Sequence, residues 1–364
     1  MKICILSDFY FPNARGGGEE MCRFMAEGLA KRGFDVHIIT PNLSKDSYEI
    51  EKKGKLTIHR YRSPLRRFVL KVGKKPAGYL HTFPSTKTSN KESKIFNFFH
   101  FFYRKYSAME LARAFKKINK KERFNLLHAN NVEPIIALNY IKNIPITGHI
   151  RDFHLFNNKV KKDIPYIAIN EKAMMLARGF ENVKVIYDPI MRSKISSIKK
   201  RILPYENICL FAGHFSPRSN TSIIEESAID NPDVEFIICG EGHHNLKNIK
   251  NIHLMGNVKN IKDYYKSADL LLYLHDPGWG IGLVPLEAMA NGLPVMSYKF
   301  ENCKFPFLMY KREEMSKAIK DLFKDKSRLK KLGKSCSVTI EEYSEENILN
   351  QLERFFKNVI NKTI

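Results

Sequence analysis

The sequence has no run of about 18 or more apolar residues, so no membrane-spanning helix is expected. It has no Cys-x-x-Cys pair. Its six cysteines (Cys4, Cys22, Cys209, Cys239, Cys303 and Cys336) are scattered, with no histidine at a zinc-site spacing. This pattern suggests neither a zinc site nor a disulfide framework and fits a reducing compartment. Several of these cysteines stand in apolar runs, where a thiol is a small core residue. No Asp-x-Asp pair occurs, so no acidic clamp for a diphosphate-bound divalent ion is suggested. A secretory leader is not expected either: in MKICILSDFYFP the apolar run breaks at Asp8, which fits a first strand. Acidic residues are scarce, 38 Asp and Glu against 61 Lys and Arg, for a net charge of +23. A surface that basic suits an anionic partner: nucleic acid, an anionic membrane face or phosphate-bearing substrates. Equally, it fits lysine enrichment on a solvated surface. Charge alone does not choose among these. No zinc-finger or RNP-type motif accompanies it, so nucleic acid is not the expected partner.

The 364 residues suffice for two domains, and 43% apolar with 27% charged residues is ordinary for a globular protein. The chain opens with a βαβ rhythm. KICIL at 2–6 reads as a buried strand, followed by a loop rich in Gly, Pro and Asn. Cys22, Met25, Ala26 and Leu29 then recur at helical spacing over 19–32, with Gly33 as a stop. Further strands are read at 35–40, 125–129, 145–150, 165–169 and 183–187. Between them, residues 52–106 stand apart: a lysine- and arginine-rich stretch, then an aromatic run from Phe96 to Tyr106. Two readings of it stand side by side. Cations and rings together suit a membrane surface; a core helix with buried Phe and solvated Lys is the plainer alternative. Residues 191–206 are polar and basic with Pro204, and read as a linker. The α/β rhythm restarts at 207–213, 235–240, 251–256, 269–274 and 294–298. Continuous apolar strands alternating with helices predict parallel sheets covered on both faces. The expected organisation is α/β, with two Rossmann-like domains at 1–190 and 207–344 facing a cleft. A helix over about 345–364 is expected to pack back on the first domain. Ligands in such sheets bind beyond the carboxyl ends of the strands.

Three glycine motifs lie at such strand ends. Gly16, Gly17 and Gly18 precede Glu19 where the first helix begins, so backbone amides there suit an anion, or the segment is a flexible turn. Gly240-Glu241-Gly242 reads as a strand-to-loop turn, with a close backbone approach as the alternative. The third motif is DPGWGIGLVPLEAMANGLPV at 276–295, a glycine-rich loop opening a helix that carries Glu287. A carboxylate there can accept two hydroxyl hydrogen bonds, as from a ribose, or simply favour the helix dipole.

The third motif resembles the signature of glycosyltransferase family 4 and its relatives, E-G-F-G-L-x-x-x-E-A-M-A-x-G-x-P-V, almost continuously from Gly280 to Val295. Other segments resemble the same family in the same order: Phe11-Pro12, Gly16 to Glu19, Leu29 to Gly33, His128 to Asn130, Arg151-Asp152, Phe211 to His214, and Gly256. The resemblance implies a retaining GT-B enzyme of the cytoplasm or its membrane face. Such an enzyme moves a hexose from a nucleotide-diphosphate sugar to a glycan or lipid-linked hydroxyl, with no metal and no cofactor. It implies donor contacts from Gly16, Gly17, Gly18, Gly213, His214, Arg218, Gly256, Gly280, Ile281, Gly282, Leu283, Val284 and Glu287. Arg151, Asp152, Asp276 and Glu287 are the expected catalytic-site residues. Three positions depart from the family: Trp279 stands for its first glutamate, His214 for its arginine and Ser219 for its lysine. Asp276 and Arg218 are the nearest replacements. The alternative is a non-catalytic GT-B-like subunit that scaffolds an active partner. A GT-B-fold epimerase is a weaker reading, because no acid–base set for it is found.

Overall fold

The computed structural model describes residues 1–13, 17–45, 48–64, 66–67, 90–151, 155, 158–213, 220–242, 246, 249–274, 282–298 and 307–361. It divides the chain into two compact units: Met1–Tyr187 with Leu349–Ile364, and Asp188–Ile348.

In the first unit the chain runs β1 (Lys2–Ser7), α1 (Gly17–Lys31), β2 (Asp35–Asn42), β3 (Glu49–Lys53), β4 (Leu56–Arg62) and α2 (Asn90–Glu122). It continues through β5 (Leu126–Asn130), α3 (Val132–Ala137), β6 (Ile146–Ile150), β7 (Pro165–Ala168), α4 (Glu171–Leu176) and β8 (Asn182–Val185). The sheet order is β3-β4-β2-β1-β5-β6-β7-β8. Every described pairing is parallel except β3 with β4. Strand order therefore reverses direction between β1 and β5. That is the switch point at which open α/β sheets leave a crevice beyond their carboxyl ends.

The second unit holds β9 (Ile208–Ala212), α5 (Ser222–Asp230), β10 (Glu235–Cys239), β11 (Ile252–Gly256), α6 (Ile261–Ser267) and β12 (Leu270–Tyr273). Then follow α7 (Leu283–Ala290), β13 (Val295–Tyr298), β14 (Leu308–Tyr310), α8 (Met315–Lys324) and α9 (Lys326–Thr339). Its order is β11-β10-β9-β12-β13-β14, with all described pairings parallel. Here the switch point lies between β9 and β12. Two parallel-sheet, Rossmann-like units are thus present, as the continuous apolar strands predict. The cores are those strands' side chains: Ile3 to Leu6, Leu126 and Leu127 in one, and Ile208 to Phe211 with Leu270 to Leu272 in the other, all essentially buried. The last helix, α10 (Glu345–Ile360), contributes residues from Leu349 onward to the first unit. There Leu349 lies over Gly28 of α1, and Arg32 reaches Asn350 and Glu353 at 2.7 and 3.1 Å. The five described cysteines are free and buried.

Two features differ from the sequence expectation. The stretch beginning at Lys52 is not uniformly a surface element, because β4 is buried from Leu56 to Tyr61. Its polar members are satisfied inside: Arg60 pairs with Glu51 at 2.8 Å and donates to the Phe11 carbonyl at 2.7 Å. Arg66 is buried as well, donating at 2.9 Å to the Asp8 carbonyl and at 3.1 Å to its carboxylate. Burial, then the neighbouring Glu133, pushes the Asp8 carboxyl well above its usual range. Glu133 in turn faces Arg104 at 3.4 Å. Several cations of the basic stretch are therefore structural. The second difference is β14, a three-residue edge strand in the apolar run Phe307 to Tyr310, beyond the last strand expected at 294–298. In residues 191–206 the only regular element is a 3-10 turn at Arg192–Lys194. No helix among the described residues is long and apolar enough to cross a membrane.

Candidate functional site

At the β1/β5 switch point Gly17 and Gly18 open α1, so their amides have no partner earlier in the helix. A Cβ on Gly18 would lie 3.8 Å from Cδ of Arg151, which follows β6. Arg151 is held in place by Asn130, at the end of β5, which accepts from its Nε at 2.9 Å. A guanidinium beside a helix amino terminus makes a place for an anion. The groups beneath report its positive field. The His128 imidazole is pushed down to about 3, first by burial and then by Arg151. His149 is lowered by burial, Arg151 and His128 in that order. The Cys22 thiol is raised to about 12 by burial, against the downward pull of Ser7 and Arg151. Gly16 and Asp152 lie outside the described residues.

These two imidazoles carry a pH prediction. Both are neutral in the folded state, and both would take a proton at about 6.5 once unfolded. Folding therefore gains from them above pH 6.5, and the gain is lost as pH falls toward the folded value of about 3 for His128. The slope is about 1.4 kcal/mol per histidine per pH unit in that window. Chemical denaturation at stepwise lower pH should show it, and His128→Gln should flatten it by one proton.

At the β9/β12 switch point the second unit places its own glycines. Gly213 and Gly240 follow β9 and β10, and Gly256 ends β11, with φ of 141°, 143° and 63°. The Gly213 amide donates to the Cys239 carbonyl at 3.0 Å, and the Gly240 amide to the Gly256 carbonyl at 2.7 Å. A Cβ on Gly240 would sit 1.8 Å from the Gly213 carbonyl oxygen. Gly240 is therefore more than a turn: it permits a close backbone approach, and the backbone it meets is that of the neighbouring strand end.

Helix α7 follows β12 of the same sheet. Gly282 caps it, and its amide donates to the Tyr273 hydroxyl at the end of β12 at 3.1 Å. The amides of Leu283 and Val284 form the helix's first turn and point outward along its axis, with Pro285 third. Glu287 stands in the next turn with its side chain 12% exposed. The Tyr265 hydroxyl donates to its Oε2 at 3.3 Å, and the Lys194 ammonium lies 3.9 Å from its Oε1. Burial, then the Glu287 charge, raises the Tyr265 phenol. Lys194 is itself anchored. Asn291, just past the end of α7, donates to its carbonyl at 2.9 Å and accepts from the Ser196 amide at 2.7 Å. Ser196 then donates to Asp263 at 2.6 Å. Gly282, Leu283, Val284 and Glu287 are thus brought together on one short helix, with Gly213 and Gly256 at strand ends of the same sheet. His214, Arg218, Asp276, Gly280 and Ile281, along with Trp279 and Ser219, lie outside the described residues. Lys194 and Tyr265 are companions of Glu287 that no motif announces. They come from two separate segments, and Lys194 falls in the stretch read as a linker.

Residues 201–325 match the family Glycosyl transferases group 1. That span lies wholly within the second unit and includes β9 to β14, α7 and Glu287. The whole chain is similar in fold to sucrose-phosphate synthase from Thermosynechococcus elongatus, with TM-score 0.74, 16% identity and 99% of each chain covered. It is also similar to Anabaena HepE in complex with UDP-glucose: TM-score 0.61, 14% identity, 98% of this chain and 100% of that one. A third neighbour is WaaG, a glycosyltransferase involved in lipopolysaccharide biosynthesis, with TM-score 0.59, 12% identity, and coverage of 96% and 98%. No curated protein matches the chain. The architecture is therefore that of the GT-B glycosyltransferase structures.

Proposed function

We propose that the chain transfers a hexose from a nucleotide-diphosphate sugar to the hydroxyl of a lipid-linked or cell-surface glycan precursor. The transfer retains anomeric configuration, needs no divalent metal, and takes place in the cytoplasm or at its membrane face. The observation that carries this reading is Glu287 on α7, one turn from the amides of Leu283 and Val284, inside the matched segment. The carboxylate suits the two hydroxyls of a ribose, and the amides suit a diphosphate. UDP-glucose, bound by the HepE neighbour, is the first donor to try. The WaaG neighbour supports a glycan acceptor.

The reaction breaks the bond between the anomeric carbon and the diphosphate oxygen and forms one to the acceptor oxygen. The acceptor proton leaves with the departing phosphate, on the same face of the sugar. Charge grows on the leaving nucleoside diphosphate, and α7, Gly213 and Arg218 are assigned to stabilise it. Asp276 is assigned the place of the missing first glutamate. In the first unit, Gly16 to Gly18, Arg151 and Asp152 are assigned a neighbouring anionic or hydroxylated group. Cationic and amide groups take the place of a diphosphate-bound metal in this reading, and the lack of an Asp-x-Asp pair in the sequence supports it.

The test is a thermal-shift series with UDP, GDP, ADP and their sugars. A nucleotide at about 100 times its dissociation constant should add about 2.7 kcal/mol of stability. A shift with one base family supports the reading. No shift with any of them favours the second reading, a non-catalytic GT-B-like subunit, for which Trp279, His214 and Ser219 at three family positions argue.

A further inference from the structure

Helix α2 has two faces of opposite character. Toward the sheet it buries Ala108, Leu111, Ala112, Phe115 and Ile118. The other face is exposed and unlike an ordinary solvated helix. Where its described side chains begin, Phe101, Phe102 and Tyr106 are 49%, 51% and 44% exposed. Phe101 and Phe102 stand edge to face with centroids 5.9 Å apart. Along the rest of that face Lys105, Arg113, Lys116, Lys117, Lys120 and Lys121 are all exposed. Among the described residues none of these six cations lies in an ion pair. The helix carries only two acids from residue 101 onward: Glu110 accepts from Ser63 at 2.7 Å and has Tyr106 and Arg113 beside it, and Glu122 accepts from Lys2 at 2.9 Å. Phe102, Tyr106, Met109, Arg113, Lys116 and Lys120 follow one another three or four residues apart, so they form one stripe.

We infer that this face of α2 docks on an anionic lipid bilayer, lying flat with its aromatic end in the headgroup layer and its basic end against lipid phosphates. The occupant is chosen by chemistry. Unneutralised cations along the length of the face demand a polyanionic surface. Rings gathered at one end, and held out rather than buried, suit the boundary between headgroups and acyl chains. A nucleic acid would call instead for rings interleaved with the phosphate contacts, so that bases could stack between them. The buried cations Arg60 and Arg66 do not contribute, because their partners lie inside the unit. This rests on the proposed function and deepens its acceptor side: a bilayer-docked first unit fits an acceptor carried on a lipid in that leaflet.

The test is sedimentation of the full chain with phosphatidylcholine vesicles, with and without phosphatidylglycerol, at rising salt. Partition is expected only onto the anionic vesicles and is expected to fall as salt shortens the screening length. Replacing Lys116, Lys117, Lys120 and Lys121 with Gln should weaken it about tenfold or more. Phe101→Ser with Phe102→Ser should weaken it while the variant still folds, since both rings are about half exposed. As a direct reporter, the emission of the Phe102→Trp variant, taken as a difference from the parent chain with its own Trp279, should shift blue on vesicles. Equal partition of the lysine variant and the parent would overturn the inference. So would an unshifted difference signal from the Phe102→Trp variant on bound vesicles, or binding to polyuridylate in place of vesicles. No donor is present in these measurements, so failed sugar transfer would leave the docking result standing, and the reverse also holds.

Discussion

Glu287→Ala should lower the affinity for a nucleoside diphosphate about 100-fold or more. Hydrogen bonds to a charged group contribute about 1.5–3 kcal/mol each, and two are assigned to this carboxylate. At 1.4 kcal/mol per factor of ten, about 3 kcal/mol is already a 100-fold loss. The variant should still fold, because the Tyr265 and Lys194 contacts to the carboxylate are long, at 3.3 and 3.9 Å. Glu287→Gln keeps one acceptor oxygen and should fall between. Tyr265→Phe should cost less again, because it removes one hydrogen bond to the carboxylate and leaves the carboxylate in place. Calorimetric titration of the three variants with the preferred nucleotide checks the order. If Glu287→Ala binds as tightly as the parent, α7 is not the nucleotide site.

Gly240→Ala should be the most damaging small substitution in the second unit. The added methyl would meet the Gly213 carbonyl oxygen at 1.8 Å, and the backbone there has φ of 143°. Overpacking costs about 1–3 kcal/mol and a forbidden backbone conformation about 1–3 kcal/mol more. A loss of about 3 kcal/mol or more is expected, a large share of a domain's stability. Gly256→Ala is the control. Its φ of 63° is also left-handed, yet nothing lies within 4 Å of the added atom. It should cost only about 1–2 kcal/mol. Urea denaturation of the two variants separates them. Equal losses would mean that the strand ends of β9 and β10 do not approach as closely as described.

The inner strands were legible in the sequence because both faces of a parallel sheet are covered, so KICIL and ICLFA read as unbroken apolar runs. The pair β3 and β4 was not, because His59 and Arg60 are buried polar residues. Their partners, Tyr48 at 2.8 Å and Glu51 at 2.8 Å, are identified only by antiparallel pairing. The aromatic run before Tyr106 allowed two readings. In α2 Phe101 and Phe102 are exposed, while the buried ring, Phe115, lies beyond that run. In the candidate site, Gly282 to Glu287 were legible because their geometry is local to one helix. Lys194 and Tyr265 were not, since a carboxylate's neighbours drawn from two distant segments leave no spacing to read.

The central claim is tested most directly by following nucleoside diphosphate release from UDP-, GDP- and ADP-sugars, with membrane lipid extract as acceptor and a chelator present. Release from one donor family, dependent on the extract, unaffected by the chelator and lost in Glu287→Ala, is the predicted result. A chain that binds a nucleotide yet releases none from any donor, with or without the extract, would contradict it.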